Sequence, residues 1–167
     1  MAVPLIITTP GITANSYCSL LEGGAYFDTH LYKDAWETAD TETQTRALLL
    51  ATRLLDEHMN WNGRKYTQQQ SLRFPQSGHV DRDGYIVDCI TIPQDLKKGT
   101  AEFAGHLILS DRTLESDTKG FSKMRAGDLE LTISPSDRAQ VIPESVLSLV
   151  SYLGVPMTKR SNKLARC

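Results

Sequence analysis

Apolar side chains recur three and four positions apart at Ala47, Leu48, Ala51, Leu54 and Leu55, the period of an α-helix with a buried face. Leu49 and Leu50 widen that stripe, so burial on more than one side is expected. Thr41-Glu-Thr-Gln44 has the form of a capping box and predicts the start; the end falls near His58. An earlier helix opens on a second capping box, Ser19-Leu-Leu-Glu22, and runs to about Leu31 with Leu20, Phe27 and Leu31 near one face. Gly23-Gly24 inside it costs about 1 kcal/mol each against alanine, which points to close approach of another backbone. Pro93 suits the first turn of a third helix, whose buried face is Leu96, Phe103, Ala104, Leu107 and Ile108. Pro143-Glu144 opens a fourth, carrying Val146, Leu147, Val150 and Leu153, with Gly154 and Pro156 to close it.

Elsewhere the period is two or absent. Leu5-Ile6-Ile7 is strand-like, with a turn signal at Pro10-Gly11, and Tyr85–Ile92 predicts a short strand. In Phe121–Ser134, Leu129, Leu131 and Ile133 alternate with polar residues, which predicts a β-hairpin turning at Gly127-Asp128. Between the second and third helices lies a long polar connection, Trp61–Gly84. The pattern predicts a mainly α fold: a small bundle of about four helices with a long irregular connection and an appended β-hairpin. One domain spans 1–156, and a basic tail, 157–167, follows the Gly154 and Pro156 stop signals.

Composition adds little to this picture. The chain of 167 residues is long enough to bury a real core, and 40% hydrophobic with 23% charged residues is ordinary for a globular protein. A net charge of −2 gives no global reason to expect nucleic-acid binding. The charge is unevenly spread. Residues 1–60 hold eight acids and three bases, a local −5, whereas 158–167 hold four bases and no acid. Cys18, Cys89 and Cys167 are too scattered for a disulfide framework or a metal knuckle, so free thiols in a reducing compartment are expected. No stretch approaches the roughly 20 apolar residues of a membrane span, and the N-terminus is a poor signal peptide. The expected setting is a cytoplasm, without membrane association.

Candidate chemistry fails against simpler readings. Asp81-Arg-Asp83-Gly84 opens like a calcium loop, yet the twelfth position, where a bidentate Glu belongs, is Ile92; a solvated turn is expected. His79 adds a third possible ligand but no second histidine at ligand spacing. His30, His58, His79 and His106 stand in no hydrolase motif, and no phosphate or dinucleotide loop is present. No catalytic residue, metal or cofactor is expected. Trp61, Tyr66 and Phe74, interleaved with Arg64, Lys65 and Arg73, could stack on single-stranded nucleic acid. Anchoring is the simpler reading: a long ordered arm needs large side chains to pin it, and Trp61, Gly63, Tyr66, Phe74 and Pro75 are the anchors expected.

Five segments then stand in a familiar order. ANSYCSLLEGGAYF at Ala14–Phe27, RALLLATRLLDEHMNWNGRK at Arg46–Lys65, QSLRFPQSG at Gln70–Gly78, DRDG at Asp81–Gly84 and IPQDLKKGTAEFA at Ile92–Ala104 resemble the head–tail connector, or head-completion adaptor, proteins of tailed bacteriophages. Sequences of that kind are often labelled DnaT-like single-stranded-DNA-binding proteins. The resemblance covers about Ala14 to Gly154, and its specificity lies in the order of the segments. Gly23-Gly24, Gln76 (where the family mostly has arginine), Phe103 and Gly105 depart from the pattern.

The resemblance implies packed helices with a hairpin and a structural role in the virion neck. A ring of about twelve neighbouring copies would sit under the portal protein. It would continue the channel for packaged DNA toward a tail or further neck protein. Exposed polar residues of the arm, Gln68, Gln69 and Gln70, would meet neighbouring subunits. The tail, with Lys159, Arg160, Lys163, Leu164 and Arg166, would reach the portal. The alternative is a single-stranded-DNA-binding accessory protein of replication, against which the net charge and the lack of a contiguous basic groove both speak.

Overall fold

The computed structural model describes residues 3–8, 10–114, 123–126, 129–132 and 140–157. Five α-helices lie within them: α1 (Leu20–Asp28), α2 (Asp34–Thr38), α3 (Thr41–His58), α4 (Gln94–Leu109) and α5 (Glu144–Val150). Three two-stranded antiparallel ribbons accompany them. β1 (Met59–Trp61) pairs with β6 (Gly154–Pro156), β2 (Arg64–Lys65) with β3 (Gln76–Ser77), and β4 (Lys123–Ala126) with β5 (Leu129–Thr132). The protein is mainly α with an appended hairpin. The two residues between β4 and β5 are those expected to turn, and they lie outside the described residues.

α3 and α4 form the centre. Leu48, Ala51 and Leu55 of α3 are fully buried, as are Leu96, Ala101, Phe103 and Ala104 of α4. α5 lays Val146 and Val150 against α4 at Gly99, where a Cβ would come within 3.0 Å of Val150. Two hydroxyls buried in this core have partners: Thr100 donates to the Leu96 carbonyl one turn back (2.8 Å), and Thr52 accepts from the distant Tyr17 amide (3.2 Å).

The helix starts follow local chemistry. Ser19 and Glu22 form the reciprocal box expected for α1. α3 differs by one residue: Asp40, not Thr41, is the cap, and its carboxylate accepts the Thr43 amide (3.2 Å). A carboxylate before the first turn also complements the helix dipole. α1 stops at Asp28, and Leu31 is 82% exposed rather than on a buried face. The reason is α2, which the pattern did not foretell. Its Trp36 stacks on Phe27 (4.9 Å between centroids, 19° between planes) and takes the place a longer α1 would have filled.

Gly23 is tight for this stack, since a Cβ there would lie 3.0 Å from Trp36; the close approach is by a side chain, not a backbone. Gly24 faces nothing within 4 Å, so it is no part of that approach. On the other side of the stack, a Cβ on Gly105 would meet Phe27 at 2.7 Å. Gly23 and Gly105, two of the departures from the connector pattern, thus make room for one aromatic pair.

Two further expectations change. Tyr85–Ile92 forms no strand; the only pairing described there is the single bridge Val80↔Ile86. Asp81 folds the chain back instead, accepting the Asp83 and Tyr85 amides through one oxygen (3.0 and 2.8 Å). Leu5–Ile7 is likewise no strand; Asn15 holds that segment, its side-chain oxygen accepting the Ile6 amide (2.7 Å). α5 ends at Val150, before Gly154. Gly154 belongs to β6, where a Cβ would press on the Asn60 carbonyl at 2.6 Å, so its missing side chain admits β1.

Candidate interaction surface on the arm

α3 ends by presenting Asp56 to the arm that follows it. Its Oδ1 accepts from the Tyr17 hydroxyl (2.5 Å) and the Trp61 indole N–H (3.2 Å), and Oδ2 accepts the Arg73 amide (3.1 Å). One carboxylate thus ties the N-terminal segment, the start of the arm and its return. Burial pushes the Asp56 carboxyl up from its ordinary value, while the bonds from Tyr17, Arg73 and Trp61 pull it back. Burial, and then the neighbouring Asp56 charge, hold the Tyr17 phenol well above its usual range, so it remains a donor.

Phe74 sits against this network and is 1% exposed. Tyr17 and Trp61 meet it edge-on at 6.1 and 5.0 Å, and the His79 ring stacks on it at 5.2 Å. The Phe74–Pro75 bond is cis, and Pro75 is buried beside it. Gly63 is half-buried under the return strand, where a Cβ would lie 2.7 Å from both Gln76 Oε1 and the Ser77 carbonyl.

Tyr66 differs from the other proposed anchors. It is 46% exposed, because its backbone amide, not its ring, makes the link to the arm, donating to the Pro75 carbonyl (3.2 Å). Gln70 is also corrected. Its side chain is buried, accepting the Thr67 amide (2.9 Å) and donating to the carbonyls of Leu72, Arg73 and Pro75 (3.0–3.1 Å). A side chain so engaged holds the arm's own turn and is not offered to a neighbour. Gln68 and Gln69 are exposed.

Gln76 is buried and bonded to His79 Nε2 (2.8 Å), so this departure from the connector pattern lies inside the arm. Burial pulls the His79 imidazole below its ordinary value. The turn of Asp81–Gly84 is not merely solvated. Arg82 crosses to the end of α5, donates to the Ser148 carbonyl and lies over the Tyr152 ring (5.8 Å). The arm is therefore fixed at both ends.

Among the outward residues are Arg64, Gln68, Gln69, Tyr66 and Arg73 on one stretch, with Val80, Tyr85 (73% exposed) and Ile86 (86%) on the other. Such a surface can be covered by a partner. Among the described residues no three His, Cys, Asp or Glu side chains are grouped to hold a metal ion. Cys18 and Cys89 are free, and burial lifts the Cys18 thiol to about 12. No described helix is long and apolar enough to cross a membrane. Lys159, Arg160, Lys163, Leu164 and Arg166 lie outside the described residues.

Sequence reasoning missed the Asp56 hub, Trp36, and the inward turn of Gln70 and Gln76. The one available signal for the hub was the apolar stripe of α3 ending on an acid just before Trp61.

Fold and arm together define a small, mainly α protein with a stiff, partly apolar surface arm. The chain belongs to a family described as "Putative DnaT-like ssDNA binding protein", whose model matches residues 3–166. No curated protein and no solved structure matches the chain.

Proposed function

We propose that this protein is a non-catalytic structural component of a bacteriophage virion: an adaptor ring between the portal protein and the tail, or a further neck protein, through which packaged DNA passes. The ordered series of motifs from Ala14 to Ala104, similar to head–tail connectors, supports the reading. The observation that carries it is the state of the arm. Tyr85 and Ile86 are held out to solvent by a turn in which the Asp83 and Tyr85 amides donate to Asp81 and the Arg82 side chain bonds the end of α5, so large apolar side chains are exposed on a hydrogen-bonded support. Single exposed apolar residues are ordinary. A preorganised aromatic–aliphatic pair is the kind of anchor that repeated subunit contacts use.

The test is the composition of purified particles. The protein should be present at a fixed stoichiometry to the portal, and its absence from particles would remove the adaptor reading.

A second reading, single-stranded-DNA binding in replication, draws on the printed description of the family and on exposed Tyr66 beside exposed Arg64 and Arg73. A stacking platform needs an aromatic face in solvent next to cations, and Tyr66 is the member of the arm that meets this. Under this reading Tyr66→Ala weakens binding to a single-stranded oligonucleotide by about 1–3 kcal/mol, and the affinity falls steeply with salt. Under the adaptor reading the same substitution leaves oligonucleotide binding unchanged.

A further inference from the structure

At the opposite end of α4 from the arm, a cleft of about 390 Å³ opens between the end of α1, α2 and α4. Phe27, Tyr32, Ala35 and Leu109 wall it, and Glu102 reaches it from α4. The Glu102 side chain is only 12% exposed. Its Oε2 accepts from the Tyr26 hydroxyl (2.9 Å) and lies 3.6 Å from His30 Nε2; its Oε1 lies 3.4 Å from His106 Nε2.

These are thin partners for a nearly buried carboxylate. Neither imidazole nitrogen comes within ordinary hydrogen-bond distance of it, at 3.6 and 3.4 Å. His30 Nδ1 accepts the Tyr32 amide (3.2 Å), so the ring turns its Nε2–H toward the carboxylate. His106 Nε2 is shared with Ser145 Oγ (3.2 Å). Among the described residues no lysine or arginine pairs with Glu102. Glu102 is the one carboxylate among the residues that line the cleft. Lys33 is engaged by Glu37 at 2.6 Å.

We infer that this cleft is a docking site for a single arginine side chain, flanked by apolar residues, of a partner protein. Charge complementarity selects a cation. The walls select among cations: a planar guanidinium stacks on aromatic faces while pairing with a carboxylate, whereas a strongly hydrated ammonium gains less from apolar walls. Tyr32, 79% exposed and with its ring 6.2 Å from that of His30, is the wall free to close over the guest. The apolar neighbours of the arginine cover Leu109, which is 71% exposed. The inference does not depend on whether the protein acts in a virion or in replication.

The probe is the acetylated, amidated pentapeptide Gly-Leu-Arg-Leu-Gly, titrated into the isotopically labelled full chain at pH 7.5 and followed by NMR. Saturable shifts are expected at Phe27, His30, Tyr32 and Glu102. Citrulline in place of arginine keeps shape but removes the charge, and should weaken binding by about tenfold or more. Glu102→Gln, which keeps an acceptor for Tyr26, should do the same. Tyr32→Ser, at an exposed position that the core does not use, should weaken binding with the melting temperature unchanged, and it serves as the test if Glu102→Gln fails to fold. No saturable shift at these residues with the arginine peptide at several millimolar, or an equal response to the citrulline peptide, overturns the inference.

Discussion

Asp56 receives three donors from three separate segments, and this concentrates the cost of its removal. Asp56→Ala leaves the Tyr17 hydroxyl and the Trp61 indole N–H, both at least partly buried, without their acceptor, and each such group costs about 1–3 kcal/mol; the exposed Arg73 amide can turn to water. A loss of about 3 kcal/mol or more is expected by chemical denaturation, with the slope against denaturant unchanged. Phe74→Ala removes the ring on which Tyr17, Trp61 and His79 converge and should cost about 3–5 kcal/mol by the same measurement. His79 gives a pH signature. Its folded value is lowered by burial, so below about 6.5 the unfolded chain takes up a proton that the folded one refuses. Its contribution is therefore intact above that pH and lost as the pH falls. Replacing it as His79→Phe, which retains a ring against Phe74, should flatten the decline of melting temperature between pH 7.5 and 5.5 relative to the parent. An equally steep decline in both proteins would exclude His79 as its source.

At the level of elements, the glycines separate two roles that their residue type does not distinguish. Gly24 has open space around it, so Gly24→Ala should stabilise α1 by up to about 1 kcal/mol. A methyl group on Gly105 would strike the Phe27 ring, and Gly105→Ala should cost about 1–3 kcal/mol. Thermal melts of the two variants should move in opposite directions. The long periodic helices, α3 and α4, were legible because their burial is set by spacing alone. α2 was not: five residues with one tryptophan carry no period, and its existence depends on the stack with Phe27 from another helix. β6 was read as a helix stop because glycine and proline end helices. Here they admit a partner strand 95 positions away in register, Asn60 with Val155. The arm's path was equally opaque, since Gln70 and Gln76 are polar by type yet buried by the carbonyls and ring they meet. Local chemistry marks where elements begin; contacts between distant segments decide which polar residues face inward.

For the whole molecule, the proposed role joins a single packed core to surfaces that other chains would complete. A weakly associating subunit is expected, because scattered exposed contacts gain strength only when several act together. Light scattering at micromolar concentration should show mainly monomer, and a stable closed ring without a partner would show that subunit contacts alone suffice. The basic tail belongs to the same argument. Each exposed ion pair contributes about 0.2–1 kcal/mol, and repetition around a ring multiplies it. Under the proposed adaptor role, deleting residues 157–167 should leave the melting temperature nearly unchanged and abolish docking to the portal, and added salt should weaken docking of the intact chain. If the truncated chain docks as well as the parent, the portal contact lies elsewhere. A density map of the neck of an intact particle should show copies of this fold in a ring against the portal, with Tyr85 and Ile86 covered by a neighbouring chain. A neck fully accounted for by other proteins would contradict the adaptor role.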